Sequence, residues 1–119
     1  MSQASSRSGR TAEHRAKIKA LNDAFRTSFS GGKLFLTAGL VALPAEVRTM
    51  ALAKVATYND FDEDNDPWAE HDFGAFEYEE QTFFWKIDYY DRTLEKGSED
   101  PTNPEKTTRV LTLMLAEEY

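Results

Sequence analysis

The sequence predicts an α+β domain, a small and mainly antiparallel sheet with helices packed on one face, in the order α-β-α-β-β-α. Three observations predict it. From Thr82 to Asp91 the side chains alternate with a period of two: Phe83, Trp85, Ile87 and Tyr89 share one strand face, and Phe84, Lys86, Asp88 and Tyr90 share the other. Ile18, Leu21, Ala24, Phe25 and Phe29 recur at intervals of three and four, which marks one face of a helix. Pro44 followed by Val47, Met50, Ala51, Val55 and Tyr58 repeats that helical spacing, with proline at the first position, where a missing N–H costs nothing.

Residues 1–10, rich in Ser, Gly and Arg, are expected to form a disordered polar tail, and residues 11–119 the single domain. Thr11 is the N-cap of the first helix, and Ser30-Gly31-Gly32 ends it. Lys33 to Thr37 has strand composition, and Gly39 marks a turn or bulge. The second helix runs out at Asn59-Asp60. Gly74 to Glu79 and Thr82 to Asp91 read as a hairpin around Glu79-Glu80-Gln81, with Arg92 to Asn103 a polar loop after it. Asn103-Pro104 is a helix start signal, so Thr107 to Tyr119 is expected to be a C-terminal helix with Val110, Leu111, Met114 and Leu115 inward; its Thr and Val content makes a strand the alternative.

A chain of 119 residues fits one domain, and 40% hydrophobic with 29% charged residues rules out global disorder. The absence of cysteine excludes disulfide scaffolds, thiolate zinc sites and cysteine nucleophiles, and suits a reducing compartment. Residues 1–10 contain no apolar run of the signal-peptide kind, and no segment approaches the roughly 20 apolar residues of a membrane span. The expectation is a cytoplasmic protein with no membrane contact. The net charge of −7 is unevenly distributed. Residues 1–33 carry seven Lys and Arg against Glu13 and Asp23, a balance of +5; residues 58–100 carry fifteen Asp and Glu against Lys86, Arg92 and Lys96, a balance of −12. Such an acidic body repels nucleic acid and attracts basic protein surfaces. The basic head either touches phosphate or folds back on the acidic body.

The densest feature is the connector from Asp60 to Gly74, which holds seven carboxylates and His71. Unpaired carboxylates repel, so the cluster implies a cation, a basic partner or plain solvation. As a calcium loop it fails. Asp60, Asp62, Asp64 and Asp66 occupy positions one, three, five and seven, but the sixth is Asn65 rather than Gly and the twelfth is His71 rather than a bidentate Glu. What is left is a looser divalent site, or a solvated connector whose Asp and Asn side chains cap turns. His71, between Glu70 and Asp72, is either a metal ligand, a general base, or a structural ring that pins the connector to the sheet. Neighbours on an extended chain point to opposite sides, so its partner is expected from elsewhere, such as Asp88 or Asp91. Lys86, Asp88 and Tyr90 form either a site with His71 or a charge pair under a loop. His14 reads as a surface residue of the first helix. The chain has no Gly-rich phosphate loop, nucleophile elbow or paired zinc spacing.

The runs Asn65-Asp66-Pro67-Trp68-Ala69-Glu70-His71-Asp72-Phe73-Gly74, Phe84-Trp85-Lys86-Ile87-Asp88-Tyr89-Tyr90-Asp91 and Thr108-Arg109-Val110-Leu111-Thr112-Leu113-Met114-Leu115-Ala116-Glu117-Glu118-Tyr119 resemble a small bacterial family known as domain of unknown function 3768. The likeness covers about Ile18 to Tyr119. It implies a protein of plasmids and other mobile elements, and it transfers no catalytic residue, because the family is uncharacterised. Where members have a Gly-containing hairpin turn, this chain has Glu79-Glu80-Gln81.

Two functional readings follow. The first is a non-enzymatic acidic interaction module of a mobile element with an anti-defence role. It would use Asp60, Asp62, Asp64, Asp66, Trp68, Glu70 and Tyr90 to occupy a basic protein surface, such as that of a host nuclease or a CRISPR or restriction complex, with no nucleic-acid binding and no cofactor of its own. The second is a small metal-dependent hydrolase or nuclease with His71, Asp72 and Asp88 in catalysis, and with Asp91 joining them around a divalent cation. The first is the preferred expectation.

Overall fold

The computed structural model describes residues 9–119. Residues 1–8, most of the expected tail, lie outside the described residues. Helix α1 (Ala12–Ser28) starts where Thr11 Oγ1 accepts the His14 N–H at 3.1 Å, and stops where Phe29 turns left-handed at φ 55° and donates its N–H to the Phe25 carbonyl. Strand β1 (Gly32–Leu36) follows. Gly39 lies inside a one-turn helix, α2 (Ala38–Val41), rather than at a bulge. Helix α3 (Ala45–Ala56) has Pro44 as its cap residue, one position earlier than expected. After the connector come β2 (Phe73–Tyr78), β3 (Gln81–Tyr90) and, beyond a loop, β4 (Thr108–Leu115), which ends in a 3-10 turn, Ala116–Glu118.

The sheet order is β1-β4-β3-β2, with β1 parallel to β4 and the other two pairs antiparallel. The α+β class holds, but the last element is the strand alternative and not the helix. The reason is position. β4 lies between β1 and β3, buried on both faces, so Val110, Leu111, Leu113, Met114 and Leu115 form a nearly continuous apolar run without alternation. Asn103 still acts as a cap, its Oδ1 accepting the Glu105 N–H at 2.9 Å, but it caps one turn of chain rather than a helix.

The inner sheet face carries Leu34, Leu36, Phe83, Trp85, Ile87, Leu111, Leu113 and Leu115, and packs on Phe25 of α1, Leu40 of α2, and Ala51 and Val55 of α3. The expected helix stripes shift by part of a turn. Met50 is 43% exposed and Ala24 is exposed, whereas Asn22 and Arg26 are buried beside Ile18 and Phe25. The hairpin register agrees with the alternation: Trp85 is fully buried and Phe84 and Lys86 face outward. Its turn is the pair Glu79-Glu80, both left-handed (φ 54° and 63°), between the partners Tyr78 and Gln81. A two-residue turn of this hand matches strand twist, and Asn-Gly is its usual composition.

Two contacts fix the ends of the sheet. Trp85 lies flat over Gly74, where a Cβ would meet its Nε1 at 2.4 Å, and its ring meets Tyr58 and Phe61 edge-on at 5.6 and 6.2 Å. At the other end, the Glu118 carboxylate accepts the Thr37 hydroxyl, the Gly39 N–H at 2.9 Å and the Leu115 N–H at 2.9 Å, which ties the chain end to the start of α2. A Cβ on Gly39 would come within 2.7 Å of that carboxylate.

Two measurements test this architecture. Trp85→Ala empties a fully enclosed site and should cost roughly 3–5 kcal/mol, read as a lower denaturation midpoint; an unchanged midpoint would contradict the register. Glu118 is held below its ordinary value of 4.5, first by the Thr37 hydroxyl and then by the two backbone N–H groups. Its stabilisation is therefore complete above pH 4.5 and fades as the pH falls through the lower folded-state value. Glu118→Gln should melt below the wild type at pH 7, and the gap should close on acidification; a gap constant with pH would show that the carboxylate charge is not what clamps the end.

Candidate functional site

The connector folds against α1 through two polar clusters. In the first, Glu70 is completely buried. Its carboxylate takes an ion pair from Arg10 and the Tyr89 hydroxyl proton at 3.2 Å. Asn22 of α1 donates to the Glu70 carbonyl at 2.9 Å and to the Tyr89 hydroxyl at 2.8 Å, while its Oδ1 accepts from Arg109 Nε at 2.7 Å. Arg109 also donates to the Pro101 carbonyl at 2.6 Å and lies over the Tyr89 ring at 5.3 Å. Burial pulls the Arg109 pKa down; the neighbouring Tyr89 and Glu70 oppose this, and Arg10 adds to it. Arg10, at the end of the expected tail, is thus a buried member of the domain, its side chain 6% exposed.

In the second cluster, Asp66 caps the connector from inside. Its Oδ1 accepts the N–H groups of Glu70 and His71 at 3.2 and 3.3 Å, a geometry that uses the left-handed backbone of Ala69 and His71 (φ 54° and 56°). The His71 ring stacks on Phe61 at 3.7 Å and 6°. Its Nδ1 lies 3.0 Å from Asp23 Oδ1, and its Nε2 is 3.8 Å from Asp66 Oδ2. Asp23 also holds Arg26 at 3.0 Å, and Arg26 donates to the Val55 carbonyl at 2.8 Å. The partner of His71 is therefore in α1, not in the hairpin. With a carboxylate facing each ring nitrogen and Phe61 against one ring face, His71 acts as a pin between connector and helix.

The residues expected to hold a cation are distributed. Asp88 pairs with Lys86 at 3.1 Å on the outer sheet face. Asp91 caps its own turn, accepting from the Thr93 hydroxyl and from the Thr93 and Glu95 N–H groups; the Thr93 hydroxyl is the main cause of its lowered pKa. Asp72 and Asp88 do line one cleft, of about 240 Å³, together with Asp66, Trp68, Lys86 and Tyr119. Among the described residues no group of three or more His, Asp or Glu side chains is placed to hold a metal ion.

The partner-facing set also divides. Glu70 and Asp66 are withdrawn into the interior, because each satisfies buried donors. Asp60, Asp62 and Asp64, with Glu63, are exposed. Their turn is rigid: Asp62 Oδ1 accepts the Asp64 and Asn65 N–H groups, and Asn65 closes back on Asp62 N and the Asp60 carbonyl, all at 2.8–2.9 Å. Trp68 is half-buried beneath the Arg15 guanidinium, 4.8 Å from its ring. Tyr90 lines a separate groove on the outer sheet face. The basic head thus folds back on the body, through Arg10, Arg15 and Arg26. Sequence reasoning missed Asn22, Asp23, Arg26 and Arg109; for the three in α1 the signal was polar residues set into an otherwise apolar helix stripe.

Residues 36–118 match the family model described as "Protein of unknown function (DUF3768)", and the chain belongs to that family. No curated protein and no solved structure matches it. The matched span includes Glu70, His71 and Arg109 but excludes α1, which supplies their partners Asn22 and Asp23.

The Arg10–Glu70 contact is testable. Losing one partner of a buried ion pair leaves the other charge less well compensated, so Arg10→Ala should destabilise the fold by up to roughly 3–5 kcal/mol. Combining it with Glu70→Gln should cost clearly less than the sum of the two single losses, measured by denaturant unfolding. Strict additivity would show that the two groups do not interact.

Proposed function

We propose that this DUF3768 member is a non-enzymatic interaction module that presents the carboxylates of its Asp60–Asp64 turn, with Trp68 beside them, to a basic surface on a nucleic-acid-handling protein. The observation that carries this reading is the turn itself. Its backbone is locked by Asp62 and Asn65, while Asp60, Asp62, Glu63 and Asp64 remain exposed. A charged patch that is already ordered loses little freedom on binding and steers a basic partner into contact. Three arginines of the basic head are engaged inside the domain, while the four carboxylates of the turn face outward. Resemblance to proteins of mobile elements makes a host nuclease or a CRISPR or restriction complex the proposed target, met in the cytoplasm. The same charge keeps the chain off DNA. The alternative of a metal-dependent hydrolase or nuclease has less geometry behind it: His71 is engaged by Asp23 and Asp66, and Asp88 by Lys86.

The test is a triple variant, Asp60→Asn with Glu63→Gln and Asp64→Asn, which keeps the Asp62 and Asn65 hydrogen bonds. It should melt like the wild type. Against a basic partner recovered from host lysate, its association rate should fall about tenfold or more at low salt. The difference should shrink toward 1 M salt, where the Debye length drops from about 10 Å to about 3 Å. Association as fast as wild type at low salt, or retardation of duplex DNA by the wild type in a gel, would overturn the proposal.

A further inference from the structure

The two edges of the sheet are finished differently. On β2 the Ala75 N–H faces the Tyr58 hydroxyl at 3.5 Å, and Glu77 puts an exposed charge on that edge. β1 lacks such cover. The Thr37 N–H donates to the Leu113 carbonyl, so in this parallel pair the odd-numbered residues of β1 bond to β4. The N–H and C=O groups of Gly32, Leu34 and Leu36 therefore point away from the sheet, and among the described residues no hydrogen bond reaches them. Leu34 and Leu36 turn their side chains to the core. Lys33 and Phe35 turn theirs to the outer face, where both are exposed, Phe35 by 53%. Residues 24–45, which carry this edge, contain no Asp or Glu, and the acidic connector enters the sheet at β2, the opposite edge.

We infer that β1 pairs antiparallel with β1 of a second copy, edge to edge, about a two-fold axis normal to the sheet at Leu34, so that the two sheets become one. Backbone hydrogen bonding sets the register. Outward residues must face outward residues, and only an axis at Leu34 uses all three: Leu34 meets Leu34 of the second copy, and Gly32 meets Leu36 twice over. An axis at Phe35 would set Gly32 against Ala38, where α2 has begun. An axis at Lys33 would set Lys33 on Lys33, like charges directly opposed. A parallel partner needs the edges offset by one residue, which a two-fold axis forbids. In the Leu34 register the side chains are complementary as well. Each Lys33 lies opposite Phe35 of the second copy, a pair without hydrogen bonds whose Cα atoms stand about 4.5 Å apart, so the lysine stem covers the ring. On the core face the Phe25 ring fills the place of a Gly32 side chain, since a Cβ there would lie 2.8 Å from it, and Leu36 of the second copy arrives beside that ring. The edge used is the one away from the acidic turn, so the inference stands apart from the proposed function.

The chain has no cysteine, so single introduced thiols report the register. Lys33→Cys and Phe35→Cys, mixed and oxidised, should give a disulfide-linked dimer of one variant with the other, because their Cα separation suits the bond. Neither variant alone should crosslink at that rate. Sedimentation of the full chain over a concentration series should show a dimer for the wild type and a monomer for Phe35→Lys, which faces Lys33 at both symmetric contacts. Lys33→Glu/Phe35→Lys should dimerise again. Both positions are exposed, and a wild-type circular dichroism spectrum separates lost pairing from lost folding; the disulfide test needs no charged variant. A wild type that stays monomeric at the highest concentration, a mixture that forms no mixed disulfide, or Phe35→Cys crosslinking alone as fast as the mixture would overturn the inference.

Discussion

A buried carboxylate has to be surrounded by donors, and the domain is assembled around that requirement at Glu70. Its donors come from the chain before α1 (Arg10) and from β3 (Tyr89), and Asn22 of α1 links its carbonyl to Arg109 of β4. Four segments distant in sequence therefore meet through one set of hydrogen bonds. The network contains two guanidiniums and one carboxylate, so leaving any one group unpaired is expensive, and the arrangement tolerates few alternatives. Apolar packing between helix and sheet can slide by part of a turn; three hydrogen bonds at 2.7–2.9 Å on the side-chain amide of one asparagine cannot. This network sets the angle at which α1 lies on the sheet and where the connector ends.

The connector's composition makes sense as two populations of carboxylates. Asp66 and Glu70 face inward and are consumed by backbone N–H groups, a hydroxyl and a guanidinium. Asp60, Glu63 and Asp64 face outward from a turn whose hydrogen bonds are made by Asp62 and Asn65. Repulsion among seven acidic groups is thus relieved by sending them to opposite sides of the chain. His71 stands at the boundary, its imidazole held on Phe61 with Asp23 and Asp66 at its nitrogens. The anchoring carboxylates give the exposed ones a fixed platform.

How much of this was legible in the sequence depended on whether an element was half-buried. The β3 alternation read correctly because one of its faces meets the core and the other does not, and the Thr11 cap read correctly because capping is local. The C-terminal strand was misjudged because, between two neighbours and covered on both faces, it retains no period; its Thr and Val content was the surviving cue. The candidate site was legible only as composition. That Asp60 and Asp64 are exposed while Asp66 is buried depends on left-handed backbone at Ala69 and His71, which no residue preference announces. Asp23 lies 48 residues before its histidine, and nothing local connects them.

The distribution of charge follows from the same folding logic. Arg10, Arg15 and Arg26 are engaged by Glu70, Trp68 and Asp23 on the helix side of the domain. That leaves the excess of negative charge on the connector turn and the loops, while the outer sheet face, with Lys33 and Lys86 near Asp88, stays close to balanced. The molecule therefore offers two chemically different surfaces, one strongly acidic and rigid, one nearly neutral and partly aromatic. Long-range attraction acts on the first and falls with salt; short-range packing governs the second and is far less sensitive to it.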